Sequence, residues 1–134
     1  MVVDTSVAFK WLVSGDEGSV VHAQELLDAS RAGALMLAAP STLSIELANA
    51  LRYSRRIDPK QVLALVEQVA SLAVELFATS VQRVHAATAL SYRHDISVYD
   101  ALFLQLACEL RCPLVTADRR AFANIDTQVD IRLL

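Results

Sequence analysis

The most informative stretch of this chain for its fold runs from Ser97 to Asp118 and reads S-V-Y-D-A-L-F-L-Q-L-A-C-E-L-R-C-P-L-V-T-A-D. Apolar residues recur in its first half at helical spacing, which predicts an amphipathic helix. Ser97 followed three residues later by Asp100 is a capping-box pattern for the start of that helix, and Pro113 requires it to end. Residues 113–117 then predict a short buried strand. One carboxylate therefore lies in the first turn of a helix, and the other lies just beyond a strand.

Outward from this stretch, short apolar segments alternate with helical patterns along the chain. Such an alternation requires crossover connections, which predicts an α/β fold with a mostly parallel sheet covered on both faces. Gly15 and Gly18 are expected to flank an acidic loop before the second helix. The predicted strands are residues 1–4, 35–39, 74–77, 113–117 and 129–133, and the last of them lies at a sheet edge. Four helices are predicted over residues 22–32, 81–92, 97–111 and 119–123. Three more are predicted from their first residues only, which are Thr5 or Ser6, Ser41 or Thr42, and Asp58-Pro59.

The composition is that of a reduced, cytoplasmic protein with one domain over residues 1–134. The chain is 54% hydrophobic, yet no apolar run is long enough to span a bilayer and no secretory signal pattern is present. We therefore expect no membrane association. Cys108 and Cys112 are interpreted as buried or half-buried thiols, because further ligands for a thiolate metal site are not visible near them.

The net charge of −3 argues against indiscriminate binding of nucleic acid through a basic surface. It does not exclude a nucleic-acid enzyme, since a divalent cation would offset acidic groups where a phosphate lies. Two local basic clusters leave both interpretations open, either solvated helix ends or phosphate contacts. They consist of Arg52, Arg55, Arg56 and Lys60, and of Arg119 and Arg120.

Four acidic residues occupy comparable places in the predicted fold. Asp4 ends the first strand, Glu46 lies in the helix after the second, Asp100 opens a late helix, and Asp118 ends the next strand. In a parallel sheet these places meet at the carboxyl edge, where ligands bind. Gathered carboxylates repel one another, and a hard divalent cation such as Mg²⁺ or Mn²⁺ is the usual reason to bring them together.

Each acid also has an ordinary structural interpretation. Asp4 has the chemistry of a turn or N-cap residue, and Thr5 or Ser6 could supply that cap as well. Glu46 early in a helix is favoured by the helix dipole alone. The functional interpretation rests on the coincidence of all four positions, to which Ser6 and Thr116 add nearby hydroxyls.

These residues resemble the acidic motifs of the PIN domain, in the same order and over essentially the whole chain. The short length is similar to that of the VapC-like toxins of bacterial and archaeal toxin–antitoxin pairs. The resemblance rests on D-T-S-V-A at residues 4–8, S-I-E at 44–46, Y-D-A at 99–101 and L-V-T-A-D at 114–118.

The resemblance implies an α/β/α sandwich and a ribonuclease that depends on Mg²⁺ or Mn²⁺. Asp4 and Asp100 would be direct metal ligands, while Glu46 would bind metal or act as a base towards the attacking water. Asp118 would act through a water or hold a second ion. Thr116 and Ser6 would be supporting hydroxyls. The resemblance further implies an RNA substrate, a cognate antitoxin and a homodimer.

Two other functions are compatible with the sequence. A phosphatase that forms an aspartyl-phosphate also begins with a strand ending in Asp, but it usually needs a second acid two residues later, where this chain has Ser6. A PIN-like interaction module would keep the fold without cleaving RNA. The three histidines, which are His22, His85 and His94, are scattered and interpreted as solvated or satisfied helix residues.

Two apolar helical segments, at about residues 43–51 and 62–69, carry more hydrophobic surface than one small core needs. We expect this surface to form a homodimer face or a groove for the antitoxin.

Overall fold

The computed structural model describes residues 1–13, 17–122 and 125–134, and its core is a parallel sheet. In the described residues the strands are β1 (Val2–Val3), β2 (Leu37–Pro40), β3 (Val74–Phe77), β4 (Leu114–Thr116) and β5 (Ile131–Leu133). Their order across the sheet is β3-β2-β1-β4-β5, and every neighbouring pair is parallel. The sheet is therefore fully parallel, where the sequence predicted a mostly parallel one.

Helices connect these strands and cover the sheet. Within the described residues, no helix is both long enough and apolar enough to cross a membrane. The helices are α1 (Thr5–Leu12), α2 (Glu17–Arg31), α3 (Leu43–Tyr53), α4 (Pro59–Val69), α5 (Val81–His94), α6 (Val98–Leu110) and α7 (Arg119–Phe122).

The two faces of the sheet are separated by the alternation of side chains along each strand. Val2 points to a large cluster that includes residues of α3 and α6. Val3 points to the opposite face, where it packs with Val7 of α1 and Ala23 of α2. Helices on both faces of a parallel sheet make this an α/β/α sandwich, as the resemblance implied.

Helix α6 is more deeply buried than its predicted amphipathic pattern indicated. Residues 101–104 are consecutive and all at most 3% exposed, so the helix is buried around its circumference in this region. The reason is tertiary: α5 packs along the side of α6 that faces away from the sheet, where Ala87 meets Ala101 and Leu102. The predicted helix ends are confirmed, with Ser97 as N-cap and Arg111 as a left-handed C-cap.

Several predicted boundaries differ from the observed ones. Helix α2 begins earlier than residue 22 and includes Gly18, so the prediction of a loop around that glycine is wrong. Residues 14–16, which carry the rest of that predicted loop, lie outside the described residues. The predicted end of α2 is confirmed, because Gly33 has a φ of 71° and follows the last turn. Strand β5 begins at Ile131 rather than residue 129, since its pairing with Leu114 starts there.

The strand order defines where a ligand can bind. From β1 the chain proceeds to β2 and β3 on one side, and it then returns to β4 and β5 on the other. The switch point therefore lies between β1 and β4, and crevices form outside the carboxyl ends of strands at such a point. Asp4 follows β1 and Asp118 follows β4 by two residues.

Candidate active site

An open cleft of about 770 Å³ lies at the carboxyl ends of β1 and β4. All four acids singled out in the sequence, Asp4, Glu46, Asp100 and Asp118, line it together with Ser6. Thr116 does not line the cleft but contacts Asp4 from beneath it. The fold thus brings the predicted residues to one place.

Asp4 is the most buried of these acids, at 5% exposure. Its Oδ1 accepts hydrogen bonds from the Ser6 hydroxyl at 2.6 Å and from the backbone N–H of Val7 at 3.1 Å. Its Oδ2 accepts one from the Thr116 hydroxyl at 2.5 Å. Burial raises the pKa of Asp4, and these hydrogen bonds oppose that effect by stabilising the charged form. Asp4 is therefore held in one orientation by three donors.

The bond from Val7 also makes Asp4 the N-cap of α1. The sequence left Asp4, Thr5 and Ser6 open as the cap, and Asp4 takes this role because both hydroxyls are used elsewhere. The Ser6 hydroxyl donates to Asp4, and the Thr5 hydroxyl donates to Glu46. One carboxylate thus serves as a helix cap and also lines the cleft.

Ser6 and Thr116 connect the two strand ends on either side of the switch point. The backbone N–H of Ala117 donates to the Ser6 oxygen at 2.7 Å, and that of Asp118 donates to the Thr116 oxygen at 2.9 Å. Each hydroxyl therefore donates to Asp4 and accepts from the loop after β4. This arrangement suits an orienting role and leaves neither hydroxyl free as a nucleophile.

Glu46 lies in the first turn of α3 and is half-buried. Its Oε2 accepts a hydrogen bond from the Thr5 hydroxyl at 3.0 Å, whereas its Oε1 is buried without a partner. Burial is the main cause that raises the pKa of Glu46, the hydroxyls of Thr5 and Thr42 oppose this effect, and the negative charges of Asp100 and Asp4 raise the pKa further.

Asp100 and Asp118 both combine a local backbone role with a position on the cleft. Asp100 accepts a hydrogen bond from the Ser97 hydroxyl at 2.6 Å, and its own N–H donates back to Ser97 at 3.1 Å. Asp118 is exposed, and its Oδ1 accepts from the N–H groups of Arg120 at 2.9 Å and Ala121 at 3.1 Å. Asp118 therefore caps α7.

The donor set fits a hard divalent cation. Its atoms are carboxylate and hydroxyl oxygens, and the Glu46 Oε1 is a buried acceptor that lacks a partner. Across the described ranges 1–13, 17–122 and 125–134, no three Asp, Glu, His or Cys side chains form a group able to hold a metal ion. Mg²⁺ commonly keeps several waters and uses only one or two carboxylates, so a closed cage is not required.

Sequence reasoning missed two groups on this cleft. Thr5 was considered only as a cap, and Tyr53 was not considered at all. Tyr53 could have been found from its spacing, because Glu46, Ala50 and Tyr53 follow one another at i, i+4 and i+7 on α3 and all line the cleft. Lys10, Arg119 and Arg120 also line it, so the cleft has both acidic and basic walls.

The fold and this cleft define a parallel α/β protein with an acidic crevice at its switch point. A family model described as the PIN domain matches residues 1–128. The chain therefore belongs to the PIN domain family, whose members are generally nucleases. A search of curated proteins finds no match to this sequence.

Solved structures of the same fold come from toxin–antitoxin complexes. VapBC2 from Rickettsia felis, bound to a DNA fragment from its promoter, is 18% identical with a TM-score of 0.71, over 99% of this chain and 97% of the other. DNA-bound VapBC from Salmonella typhimurium is 20% identical with a TM-score of 0.67, over 97% and 94%. A toxin–antitoxin complex from Klebsiella pneumoniae is 19% identical with a TM-score of 0.60, over 97% and 98%. At these identities the likeness is one of fold.

Proposed function

We propose that this chain is an endoribonuclease that hydrolyses RNA phosphodiester bonds with carboxylate-bound Mg²⁺ or Mn²⁺, and that it is the toxin of a VapBC-type pair. The observation that carries this proposal is the set of four acids on one cleft at the switch point. The nuclease character of the family supports the activity. The VapBC neighbours support the biological role.

Asp4 and Asp100 are the residues that would hold the cation, with Asp118 as a third acid on the exposed side. A bound Mg²⁺ or Mn²⁺ supplies a water of lowered pKa and positive charge against the phosphate. Asp4 is suited to this role because its orientation is fixed by Ser6, Val7 and Thr116 before any ligand arrives.

Glu46 would act beside this site as a ligand or as the base that accepts a proton from the attacking water. Its Oε2 accepts a hydrogen bond from the Thr5 hydroxyl, whereas Oε1 makes none and lies near the Thr42 hydroxyl, so the carboxylate keeps accepting capacity for either role. Burial and the neighbouring carboxylates raise the pKa of Glu46, which favours proton uptake by its carboxylate. Lys10, Arg119 and Arg120 would receive RNA phosphates at the rim.

An aspartyl-phosphate mechanism is less compatible with these contacts. Its nucleophile would be Asp4, and the second acid that such enzymes usually carry two residues later is replaced by Ser6, whose hydroxyl donates to Asp4. A catalytically inactive PIN-like module remains the alternative. One observation favours it: Asp4 and Asp118 also cap helices, which would preserve them without catalysis.

The proposal includes a cognate antitoxin, a homodimer and a cytoplasmic location, with residues 1–134 acting as one domain. Exposed apolar side chains support a protein partner, since Ile45 of α3 is 73% exposed and Leu63 of α4 is 76% exposed. Light scattering after size exclusion tests the dimer. A monomer at all concentrations, with or without a candidate antitoxin, would contradict it.

Metal binding tests the proposed activity most directly. We expect Mn²⁺ to bind the wild-type chain in titration calorimetry and to bind neither Asp4→Asn nor Asp100→Asn. The exposed Asp126→Asn is the matched control and should bind as the wild type does. Binding should raise the free energy of unfolding by about 2.7 kcal/mol at a hundredfold excess over the dissociation constant.

Cleavage completes the test. With a pool of cellular RNA, Asp100→Asn should reduce the rate by at least about a hundredfold. Metal binding without cleavage of any RNA would favour the inactive module. Failure to bind Mn²⁺ even with short RNA present would contradict the nuclease.

A further inference from the structure

We propose that Tyr53 is a stacking platform for a base of single-stranded RNA, placed beside the acidic cleft. This inference rests on the proposed function, because it assigns the part of the substrate that lies next to the cleaved bond. It makes Tyr53 a positioning residue for that part of the substrate.

The Tyr53 ring lies at the edge of the acidic cleft. Tyr53 is the last residue of α3 and lies two helical turns after Glu46, on the same side of the helix. Both residues line the cleft, with Ala50 between them. A base that stacks on Tyr53 would therefore place its neighbouring phosphate towards the acids.

The Tyr53 side chain is also largely exposed. Tyr53 is 73% exposed, although it borders a cleft whose acids are mostly buried or half-buried. It contributes little to the core, which is formed on α3 by Leu43, Leu47 and Leu51. Packing therefore does not explain an aromatic residue at this position.

Arg52 contacts the Tyr53 ring. Its guanidinium carbon lies 5.4 Å from the centroid of the ring, which is a cation–π distance. The cation lies over one face of the ring, and most of the Tyr53 surface remains exposed for a ligand. The contact restrains the ring and adds positive charge next to a bound nucleotide.

Further positive charge lies around the ring. Lys10, Arg119 and Arg120 line the same cleft as Tyr53. Cations that follow the phosphates, combined with an aromatic platform for a base, are the usual means of binding single strands. In an RNA duplex the base faces are stacked inside the helix, so this platform cannot reach them.

The experiment compares RNA affinity among variants in an Asp100→Asn background that prevents cleavage. The probes are single-stranded RNA of mixed sequence, about 12 nucleotides long, and the same length as a duplex. We expect Tyr53→Ala to weaken single-strand binding roughly 5- to 150-fold, which corresponds to the loss of one stacked base. Tyr53→Phe should keep the affinity, because it keeps the ring.

The matched control is Tyr92→Ala on α5, which removes a tyrosine that is 87% exposed and does not line the cleft. It should bind RNA as the background does. A second readout is stacking itself. Single strands that carry 2-aminopurine should lose fluorescence on binding to the background protein and to its Tyr53→Phe variant, whereas Tyr53→Leu should abolish this quenching. Thermal unfolding checks that each variant is folded.

The platform would be overturned if Tyr53→Ala bound single-stranded RNA as tightly as the Asp100→Asn background does. It would also be overturned if the background bound duplex RNA as tightly as single-stranded RNA, or bound no single-stranded RNA. Failure of the platform and failure of the nuclease are distinguishable. Cleavage that persists in an otherwise wild-type Tyr53→Ala chain at an unchanged KM would overturn the platform alone. Loss of affinity in Tyr53→Ala, in a chain that cleaves no RNA, would support the platform within an inactive module.

Discussion

Helix α6 contributes to two different regions of the molecule, the acidic cleft and the apolar core. Its first turn carries Asp100 to the cleft, where the side chain contacts Ser97 and its charge raises the pKa of Glu46. The next turn, residues 101–104, is at most 3% exposed and belongs to the apolar clusters of the core. One helix therefore connects a polar site to the apolar core within two residues.

The buried acids of the cleft lower the free energy of unfolding, whereas the apolar core raises it. Burial raises the pKa of both Asp4 and Glu46, which means that the charged forms are less stable in the folded chain than in water. Glu46 also keeps a buried oxygen without a partner. The apolar body of α6 carries no such cost, so substitutions in the two regions should have different effects.

The largest expected effect is on the core side. Leu104→Ala removes a side chain that is 0% exposed, and it should lower the free energy of unfolding by about 2–5 kcal/mol. Urea denaturation measures this loss. The control Val81→Ala, at a residue 81% exposed, should change stability little. If the Leu104→Ala chain were as stable as the wild type, the assignment of this region to the core would be contradicted.

The next effect is on the cleft side and concerns activity. Thr5→Val removes the hydrogen bond to Glu46 Oε2, and it should lower the cleavage rate roughly 2- to 10-fold, the net value of one such bond. Thr5→Ser keeps the hydroxyl and should keep the rate. Single-turnover cleavage under saturating metal measures both variants. A rate loss shared by Thr5→Ser would show that the methyl group, rather than the hydrogen bond, matters.

The smallest expected effect is on the pH dependence of stability, to which Glu46 of the cleft contributes. The folded-state pKa of Glu46 is raised above 4.5, so its stabilising contribution is present below pH 4.5 and is lost as pH rises through the folded value. Without metal, the wild type should therefore lose stability relative to Glu46→Gln across that range. Urea unfolding of both proteins, between about pH 4 and 8, measures the difference.

Glu109 provides a control of opposite sign. The hydrogen bond from Arg83 lowers the pKa of Glu109, so its contribution is present above pH 4.5 and is lost as pH falls through the folded value. The wild type should therefore gain stability relative to Glu109→Gln as pH rises. Slopes of the same sign for the two glutamates would contradict the assigned environments.

Much of the fold could be predicted from local patterns. Strand β3 was predicted with its observed bounds, and the ends of α6 follow from Ser97 and from the proline after Arg111. These features depend on capping and backbone geometry, which act over a few residues. The beginning of β5 could not be predicted in the same way, because it is set by pairing with Leu114.

The four acids of the candidate site were also found from the sequence, since each follows or opens an element at a recognisable place. The sequence could not distinguish Asp4 from Thr5 and Ser6 as the cap of α1, and it did not predict the bond from Thr5 to Glu46. Three adjacent residues, Asp4, Thr5 and Ser6, all have the chemistry of a cap. Their roles are decided by partners that are distant in sequence, namely Glu46 and Thr116.

The sequence by itself thus determined the α/β class, most of the elements and the residues with metal-binding chemistry, because these follow from periodicity and side-chain type. Only the tertiary structure shows which hydroxyl donates to which carboxylate, which oxygen of Glu46 lacks a hydrogen bond, and that Tyr53 lines the same cleft as the acids. The physical reason is that these features depend on contacts between strand ends and helices that only the folded sheet brings together.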